Sequence, residues 1–295
     1  MASYLIADET MVPELMELWK QSFDDTDDAI QFFFDNRFSP QNCAVCITDG
    51  RVVSAIHLLP AELQLNGERV PVYYIYAAAT LKKYQGRGYM AELISDIDMG
   101  ISPGERSFSV LLPASESLYD YYGKLGYHPF FCVRQVELNR KTLLDAYLSE
   151  VGIPEIVDLS FETLASLRDF RFGESEGTVQ WDEKAIRYAV DINRIYGGEM
   201  VCVKNGYALC RDGGEGTVEV TEFVPANRKV ARELLYAVDK RFHAENYRLR
   251  LASDSKILQN KGKVVPFGMI RQEGGGPLPQ LDYINMPRYL GLTLD

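Results

Sequence analysis

The feature that most constrains this chain is an apolar stretch that runs directly into a glycine-containing loop and then into an amphipathic helix. The stretch ends at Thr80, and the polar loop that follows contains Gly86 and Gly88. Apolar residues then recur at helical spacing, at Met90, Leu93, Ile94 and Ile97. The pattern predicts a strand, a loop and a helix in that order, which is typical of an α/β fold.

Glycines directly before a helix have two interpretations. The unpaired N–H groups of a helix N-terminus can hold an anion, and glycine lets a pyrophosphate approach the backbone closely. A strand-to-helix turn without a ligand uses the same residue types, so the loop alone does not decide between them. A dinucleotide-binding loop is a poorer match, because Ala91 stands at its third glycine position and no simple βαβ repeat follows.

The rest of the first half reads as helices followed by an antiparallel meander. Two helices are predicted within residues 11–35, where apolar side chains recur at helical spacing. Asp49-Gly50 and Asn66-Gly67 predict tight turns between three strands. Beyond the loop and its helix, we expect a strand in SFSVLLP, a helix in SESLYDYYGKLGY and a strand in HPFFCVRQVEL.

The second half repeats this order of elements in outline, without the glycine loop. The segment VPANR, which has no glycine, precedes its helix KVARELLYAVDKRF. We therefore predict an α/β fold of two tandem domains, residues 1–140 and residues 141–295, with mixed, mostly antiparallel sheets flanked by helices. Only the first domain is expected to hold a phosphate group.

The composition argues against several classes of protein. A net charge of −11 is unfavourable for nucleic-acid binding, which needs clustered Lys and Arg. No apolar run approaches the roughly 18 residues of a membrane helix. With no signal-peptide pattern at the N-terminus, we expect a cytoplasmic protein without membrane contact. Cys43 and Cys46 have CxxC spacing, but they lie in a predicted buried strand and no second pair completes a metal site, so no metal is expected.

The glycine loop resembles the phosphate loop of the GNAT acetyltransferase superfamily. That loop reads Arg or Gln, any two residues, Gly, any residue, and then Gly or Ala. Gln85 and Gly88 match it, and Met90 departs from it at the last position. The resemblance implies that the pyrophosphate of acetyl-CoA is held by the backbone of Gln85, Gly86, Arg87, Gly88, Tyr89 and Met90.

A second segment, Ser115 to Tyr127, is similar to a later motif of the same superfamily, whose pattern ends in Leu-Tyr-x-Lys-Leu-Gly-Phe. Tyr122 falls on the tyrosine that family members use as a general acid, which protonates the departing thiolate of coenzyme A. Ser115 replaces the usual Asn of the motif and is assigned to cofactor binding. Considered without the motif, an aromatic helix face is more typical of core packing.

The resemblance assigns two further sets of residues. Ala77, Ala78 and Ala79, at the end of the strand before the loop, would bind the pantetheine arm. The tandem arrangement is similar to that of the enhanced intracellular survival acetyltransferases, whose chain-terminal carboxylate is the catalytic base. The carboxylate of Asp295 is therefore a candidate base, although this chain is too short to include their third domain.

Together these patterns predict an N-acetyltransferase that moves an acetyl group from acetyl-CoA to a primary amine. The amine would belong to a small molecule or to a protein, and the acidic net charge favours a cationic acceptor. The alternative from another class is a non-catalytic acyl-CoA-binding regulatory protein, which would keep the loop without turnover.

Overall fold

A computed structural model describes residues 2–96, 107–145, 152–274 and 286–293. The chain divides into two compact units. The first comprises Met1–Ala61, Val70–His128 and Met269–Leu278, and the second comprises Glu62–Arg69, Pro129–Gly268 and Pro279–Asp295. Among the described residues, none of the helices combines the length and the apolar character that crossing a membrane requires.

Both units contain helices and strands. The helices are α1 (Val12–Lys20), α2 (Asp27–Asn36), α3 (Tyr89–Asp96), α4 (Glu116–Lys124), α5 (Arg140–Leu143), α6 (Phe161–Phe172), α7 (Glu183–Ile195) and α8 (Arg228–Phe242). The strands are β1 (Ser3–Ile6), β2 (Cys43–Thr48), β3 (Arg51–Leu65), β4 (Glu68–Thr80), β5 (Phe108–Leu111), β6 (His128–Pro129), β7 (Cys132–Asn139), β8 (Val179–Gln180), β9 (Glu199–Val203), β10 (Gly206–Asp212), β11 (Thr217–Pro225), β12 (Asn246–Ala252), β13 (Lys263–Pro266) and β14 (Met269–Gln272).

The sheet of the first unit has the strand order β1-β2-β3-β4-β5-β14. β4 and β5 are parallel, whereas β1 with β2, β2 with β3, and β5 with β14 are antiparallel. The turn between β3 and β4 has φ of 55° at Asn66 and 79° at Gly67, which are the positive values of a two-residue hairpin turn. The predicted hairpin is confirmed.

The two helices predicted within residues 11–35 are α1 and α2. α2 begins after Thr26, whose hydroxyl accepts a hydrogen bond from the N–H of Ala29, and Asp27 and Asp28 lie in its first turn. Both features stabilise a helix start, because they satisfy a free amide and complement the helix dipole. The local sequence therefore accounts for this helix boundary.

The second unit has its own sheet, in the order β13-β7-β12-β11-β10-β9. β11 and β12 are parallel, and the other pairs are antiparallel. The buried face of α8 packs in one apolar core with this sheet, through residues that include Ala231, Leu234, Val220 and Leu249. The chain thus has two mixed, mostly antiparallel sheets flanked by helices, and the predicted α/β fold class is confirmed.

An ion pair is buried in the second unit. Arg168 Nε lies 3.1 Å from Glu222 Oε1, and the two side chains are 2% and 1% exposed. The hydroxyl of Tyr289 donates to the other carboxylate oxygen at 2.5 Å. Because a buried charge is tolerated only when it is paired and hydrogen-bonded, Tyr289 makes the last described segment of the chain part of this core.

Three segments fall on the other side of the limits predicted at residues 140 and 141. Glu62–Arg69 and residues 129–140 belong to the second unit, and Met269–Leu278 belongs to the first. β7 pairs with β12 in the second unit, where Val136 lies opposite Leu249. β14, although late in the chain, pairs with β5 in the first unit, where Ile270 lies opposite Val110. Both pairings join residues that are far apart in the sequence. The assignment of a catalytic and a degenerate domain stays a prediction.

Candidate active site

β4 and β5 are parallel neighbours that pair along only part of their length. Their recorded register ends where Tyr74 lies opposite Val110. β4 continues to Thr80, whereas β5 ends at Leu111. The backbone of β4 beyond the last pair therefore has no β5 partner, and backbone polar groups on an unpaired strand edge are available to another chain or ligand.

A bend in β4 falls within this unpaired part. Ala77 has φ of 48°, in the left-handed region. This backbone conformation costs an L-residue roughly 1–2 kcal/mol of conformational free energy. Ala77 and Ala78 are half-buried, and Ala79 is buried. The carbonyl oxygen of Ala79 accepts a hydrogen bond from Ser54 Oγ at 3.0 Å, which fixes the end of the strand. The three alanines thus place small side chains along a bent, anchored backbone.

The loop after β4 holds both of its glycines in the left-handed region. φ is 73° at Gly86 and 87° at Gly88. All residues from Gln85 to Gly88 are exposed. A Cβ placed on Gly86 would meet no atom within 4 Å. Backbone conformation, not crowding, is therefore what requires glycine at this position, and the loop faces open space.

The start of α3 adds unpaired amides to this loop. The hydrogen bond from the N–H of Glu92 to the carbonyl oxygen of Gly88, at 3.0 Å, begins the helical ladder. The amides from Tyr89 to Ala91 precede that ladder and lie at the positive end of the helix dipole. The backbone predicted to hold a pyrophosphate therefore forms an exposed loop that continues into a half-buried helix N-terminus, which is a favourable site for an anion.

The two predicted polar side chains of the loop fold back on it. Gln85 Nε2 donates to the carbonyl oxygen of Thr80 at 3.0 Å. Arg87 Nη2 donates to the carbonyl oxygen of Lys83 at 3.3 Å, and its guanidinium carbon lies 5.3 Å from the centre of the Tyr84 ring. These contacts brace the loop, so that its backbone is the part presented to solvent.

One carboxylate lies beside the loop. Glu92 Oε1 is 3.7 Å from the position that a Cβ on Gly88 would take. The other oxygen of Glu92 accepts a hydrogen bond from the hydroxyl of Tyr4. Burial and this hydrogen bond raise the pKa of Tyr4, so its phenol keeps the proton that it donates. The negative charge next to the anion site is therefore partly offset by Tyr4.

Tyr122 lies in α4 and is 8% exposed. Burial, with a smaller contribution from Tyr121, raises the pKa of Tyr122 to about 12, so the phenol is protonated near neutral pH. Its ring packs edge-on against Tyr121 and Tyr127, at centroid distances of 5.2 and 5.8 Å. Within the described part of the chain its hydroxyl has no hydrogen-bond partner, although a buried tyrosine usually has one.

Three of the predicted site segments meet in one apolar cluster. Tyr122 of α4, Ala78 of β4 and Met90 of α3 belong to it, together with Leu111, the last residue of β5. The structure therefore brings the unpaired strand, the helix that follows the glycine loop and the tyrosine helix to the same part of the first unit.

The two remaining predicted residues are Ser115 and Asp295. Ser115 stands at the N-cap position of α4 without a capping hydrogen bond from its side chain, and its hydroxyl lies 3.0 Å from the hydroxyl of Ser117. Asp295 lies outside the described residues, so its assignment as a base stays a prediction.

Three further titratable residues of the first unit are packed in its interior. His57 is 3% exposed among aromatic rings, and burial lowers its pKa to about 3. Cys43 and Cys46 are buried in β2. Because they are three positions apart on a strand, their side chains point to opposite faces and cannot share a metal. No group of three metal-ligating side chains occurs in the described ranges.

Known proteins share this arrangement of strands, loop and helices. Residues 4–130 match the sequence model of the acetyltransferase (GNAT) domain. The match covers both the glycine loop and the tyrosine helix, and it supports acyl transfer as the class of chemistry. Among curated proteins, none matches the chain in sequence.

Solved structures extend the likeness over both units. GCN5-related N-acetyltransferases from Anabaena variabilis and Kribbella flavida are 17% and 18% identical to the chain, with TM-scores of 0.73 and 0.68. Each match covers 92% of this chain and 72% of the other. Eis1 from Mycobacterium abscessus is 14% identical, with a TM-score of 0.67 over 92% of this chain and 73% of its own. At these identities the likeness shows the fold, and it extends over both units.

A polar network that the sequence did not reveal ties two helices of the first unit together. Arg271 of β14 donates to the carbonyl oxygens of Ile94 in α3, at 3.0 Å, and of Leu125 after α4, at 3.3 Å. Its guanidinium lies over the ring of Tyr127 and pairs with Glu273 at 2.8 Å. One side chain thus fixes the C-terminal ends of both helices that carry the candidate site.

Ser109 completes the network from β5. Its Oγ lies 2.6 Å from the hydroxyl of Tyr127, and it donates to the carboxylate of Glu273. The sequence offers one signal for this network, the short strand-like run from Met269 to Gln272, which lies far along the chain from β5. A four-residue strand so distant from its partner cannot be assigned to the first unit by pattern alone.

Replacing Arg271 with Met should destabilise the first unit strongly, because it leaves two helix-end carbonyls without their donor and removes the cation that pairs with Glu273. We expect a loss of about 2–3 kcal/mol in the protection of α3 and α4 amides by native-state hydrogen exchange. The control is Arg241→Met, which removes a two-point pair with Glu199 that is 56% and 39% exposed. In the Arg241→Met variant, the free energy of amide protection should fall by less than about 1 kcal/mol. Equal, small losses would contradict the anchoring role of Arg271.

Proposed function

We propose that the first unit is an N-acetyltransferase that transfers the acetyl group of acetyl-CoA to a primary amine. The observation that carries the proposal is the continuity of the unpaired part of β4 with the exposed glycine loop at the start of α3. This run of available backbone donors suits a ligand with a long amide-containing arm joined to a pyrophosphate. Coenzyme A has that chemistry, and the GNAT match of residues 4–130 supports the same function.

In this proposal the pyrophosphate binds the amides of the turn from Gly86 to Met90. Gln85 and Arg87 contribute by bracing that turn, since their side chains bond to Thr80 and Lys83. The pantetheine arm would extend along Ala77 to Ala79, where small side chains leave room beside the backbone. We assign Ser115 to the same ligand only through its place in the family motif.

The reaction would proceed by direct attack. The amine nitrogen bonds to the thioester carbonyl carbon, and a backbone N–H of β4 near Ala77 donates to the oxyanion that forms. The C–S bond then breaks, and the thiolate takes a proton from the hydroxyl of Tyr122. The amine gives its surplus proton to a base, and solvent returns a proton to Tyr122. The products are the N-acetylated amine and coenzyme A.

Tyr122 suits the role of acid in two respects. Burial raises its pKa to about 12, so it holds a proton at the pH of turnover. Its hydroxyl has no hydrogen-bond partner in the described residues, so it is available to a thiolate. For the base we retain the carboxylate of Asp295, as the family resemblance implies. The acceptor would be a small-molecule or protein amine, and the net charge of −11 favours a cationic one.

Binding of coenzyme A should depend on the backbone conformation at Gly86. Gly86→Ala places a side chain at φ of 73°, which costs about 1 kcal/mol and tilts the amides of the loop. Calorimetry should show at least tenfold weaker coenzyme A binding. The control is Gly197→Ala, which has φ of 78° and the same open space around its Cβ. It should lose similar stability and bind coenzyme A normally. Equal affinities in both variants would contradict the loop assignment.

Turnover should depend on the hydroxyl of Tyr122. Thiol release from acetyl-CoA is measured over a panel of polyamines, aminoglycosides and lysine peptides. On an amine that is acetylated, Tyr122→Phe should lower kcat by about 100-fold or more, with coenzyme A affinity within twofold. Tyr121→Phe removes a hydroxyl from the adjacent ring and should leave kcat within threefold.

The pH dependence gives a second readout of the same role. Because a group with a pKa of about 12 keeps its proton up to that range, wild-type kcat should not fall between pH 7 and 9. An unchanged rate in Tyr122→Phe would remove the acid role. Binding of coenzyme A without thiol release on any amine would instead favour a non-catalytic acyl-CoA-binding protein.

A further inference from the structure

A cleft lined by positive side chains lies in the second unit, between the first turns of α8 and the loop that follows β12. Its volume is about 330 Å³, and its positive residues are Arg228, Arg232 and Lys256. Ala231 and Leu235 of α8 contribute apolar surface. Small-molecule sites have volumes of about 300–1,000 Å³. The cleft therefore has room for one small ligand.

The charge of this cleft is opposite to that of the chain, whose net charge is −11. None of its lining residues is acidic. In the described part of the chain, Arg228 and Lys256 have no acidic partner. The nearest carboxylates in sequence are engaged elsewhere, since Glu233 pairs with Lys229 and Asp254 pairs with Arg171. Among the described residues, Arg228 and Lys256 thus place two cations without an acidic partner on one concave surface, which attracts an anion.

One wall of the cleft is fixed by a buried guanidinium. Arg134 is 8% exposed and donates to four carbonyl oxygens of the loop, at 2.6–3.0 Å, those of Ser255, Ile257, Leu258 and Lys261. These bonds hold the loop in one conformation, with Lys256 between two of the bonded residues. A pre-organised wall lowers the entropic cost of binding a ligand.

The cleft occupies a position in the second unit that corresponds by topology to the glycine loop of the first. β11 and β12 are parallel and pair only as far as Val220 and Leu249. α8 follows β11 as α3 follows β4. Here, however, the side chain of Asn227 accepts a hydrogen bond from the N–H of Val230, so an amide of the first turn is already satisfied. Side-chain cations, not backbone amides, are what this cleft offers.

We propose that this cleft binds a small molecule that carries a phosphate or diphosphate group. The anion lies between Arg228 and Lys256, with Arg232 adding a third positive charge. The remainder of the ligand, an apolar or planar group, packs against Ala231 and Leu235. The second unit thereby contributes a ligand site of its own, independent of the acetyl-CoA site proposed in the first.

Calorimetric titration of the full chain with inorganic pyrophosphate and with ADP tests this proposal. The double variant Arg228→Gln with Lys256→Gln should bind both probes at least tenfold more weakly than wild type. The matched control is Lys229→Gln with Lys263→Gln, which makes the same charge change at exposed positions outside the cleft. It should bind within twofold of wild type. Gly86→Ala is titrated in parallel, because the loop of the first unit is itself proposed to hold a pyrophosphate, and this variant should keep the binding that the cleft provides. Unchanged melting temperatures confirm that the exposed substitutions leave the fold intact.

Three outcomes would overturn the proposal. Equal weakening in the two double variants would mean a general attraction of anions to positive charge. Loss of binding only in Gly86→Ala would place the probes at the loop of the first unit. Failure of wild type to bind either probe at millimolar concentration would leave the cleft without a phosphate ligand.

Discussion

The early end of the pairing between β4 and β5 is the constraint on which the candidate site depends. Parallel strands need a crossover helix, so α3 must begin where β4 ends. Because the register stops at Tyr74 and Val110 while β4 continues, the unpaired strand edge and the helix N-terminus lie next to each other. The bend at Ala77 falls between them. The unpaired edge of β4 and the start of α3 therefore offer one continuous set of backbone hydrogen-bond donors to a ligand.

The C-terminal ends of α3 and α4 are held in place by hydrogen bonds from one side chain. Arg271 bonds to the last turn of α3 and to the residue after α4, and Glu273 and Ser109 keep that guanidinium in place. The loop before α3 is left exposed to solvent from Gln85 to Gly88. This division is physically reasonable for a binding site, because the groups that meet a ligand remain available while the rest of the frame is fixed by buried hydrogen bonds.

Local features of the site could be predicted from the sequence, and long-range ones could not. Gly86, Gly88 and Tyr122 lie in short motifs that can be interpreted from the neighbouring predicted strand and helices. The turn at Asn66-Gly67 can be predicted from these two residues alone. By contrast, Ala77 carries no sequence signal for a positive φ, since alanine seldom adopts one. The contribution of Arg271 depends on a strand late in the chain. The cations of the second cleft are spread from Arg228 to Lys256, so no charged run marks them.

A crystal structure of the chain with coenzyme A bound tests the central claim most directly. The account predicts pyrophosphate oxygens within about 2.7–3.2 Å of amide nitrogens between Gly86 and Met90. It also predicts the pantetheine arm along Ala77 to Ala79, with the sulfur within hydrogen-bonding reach of the Tyr122 hydroxyl. Coenzyme A bound away from the unpaired part of β4, or with its sulfur remote from Tyr122, would contradict it.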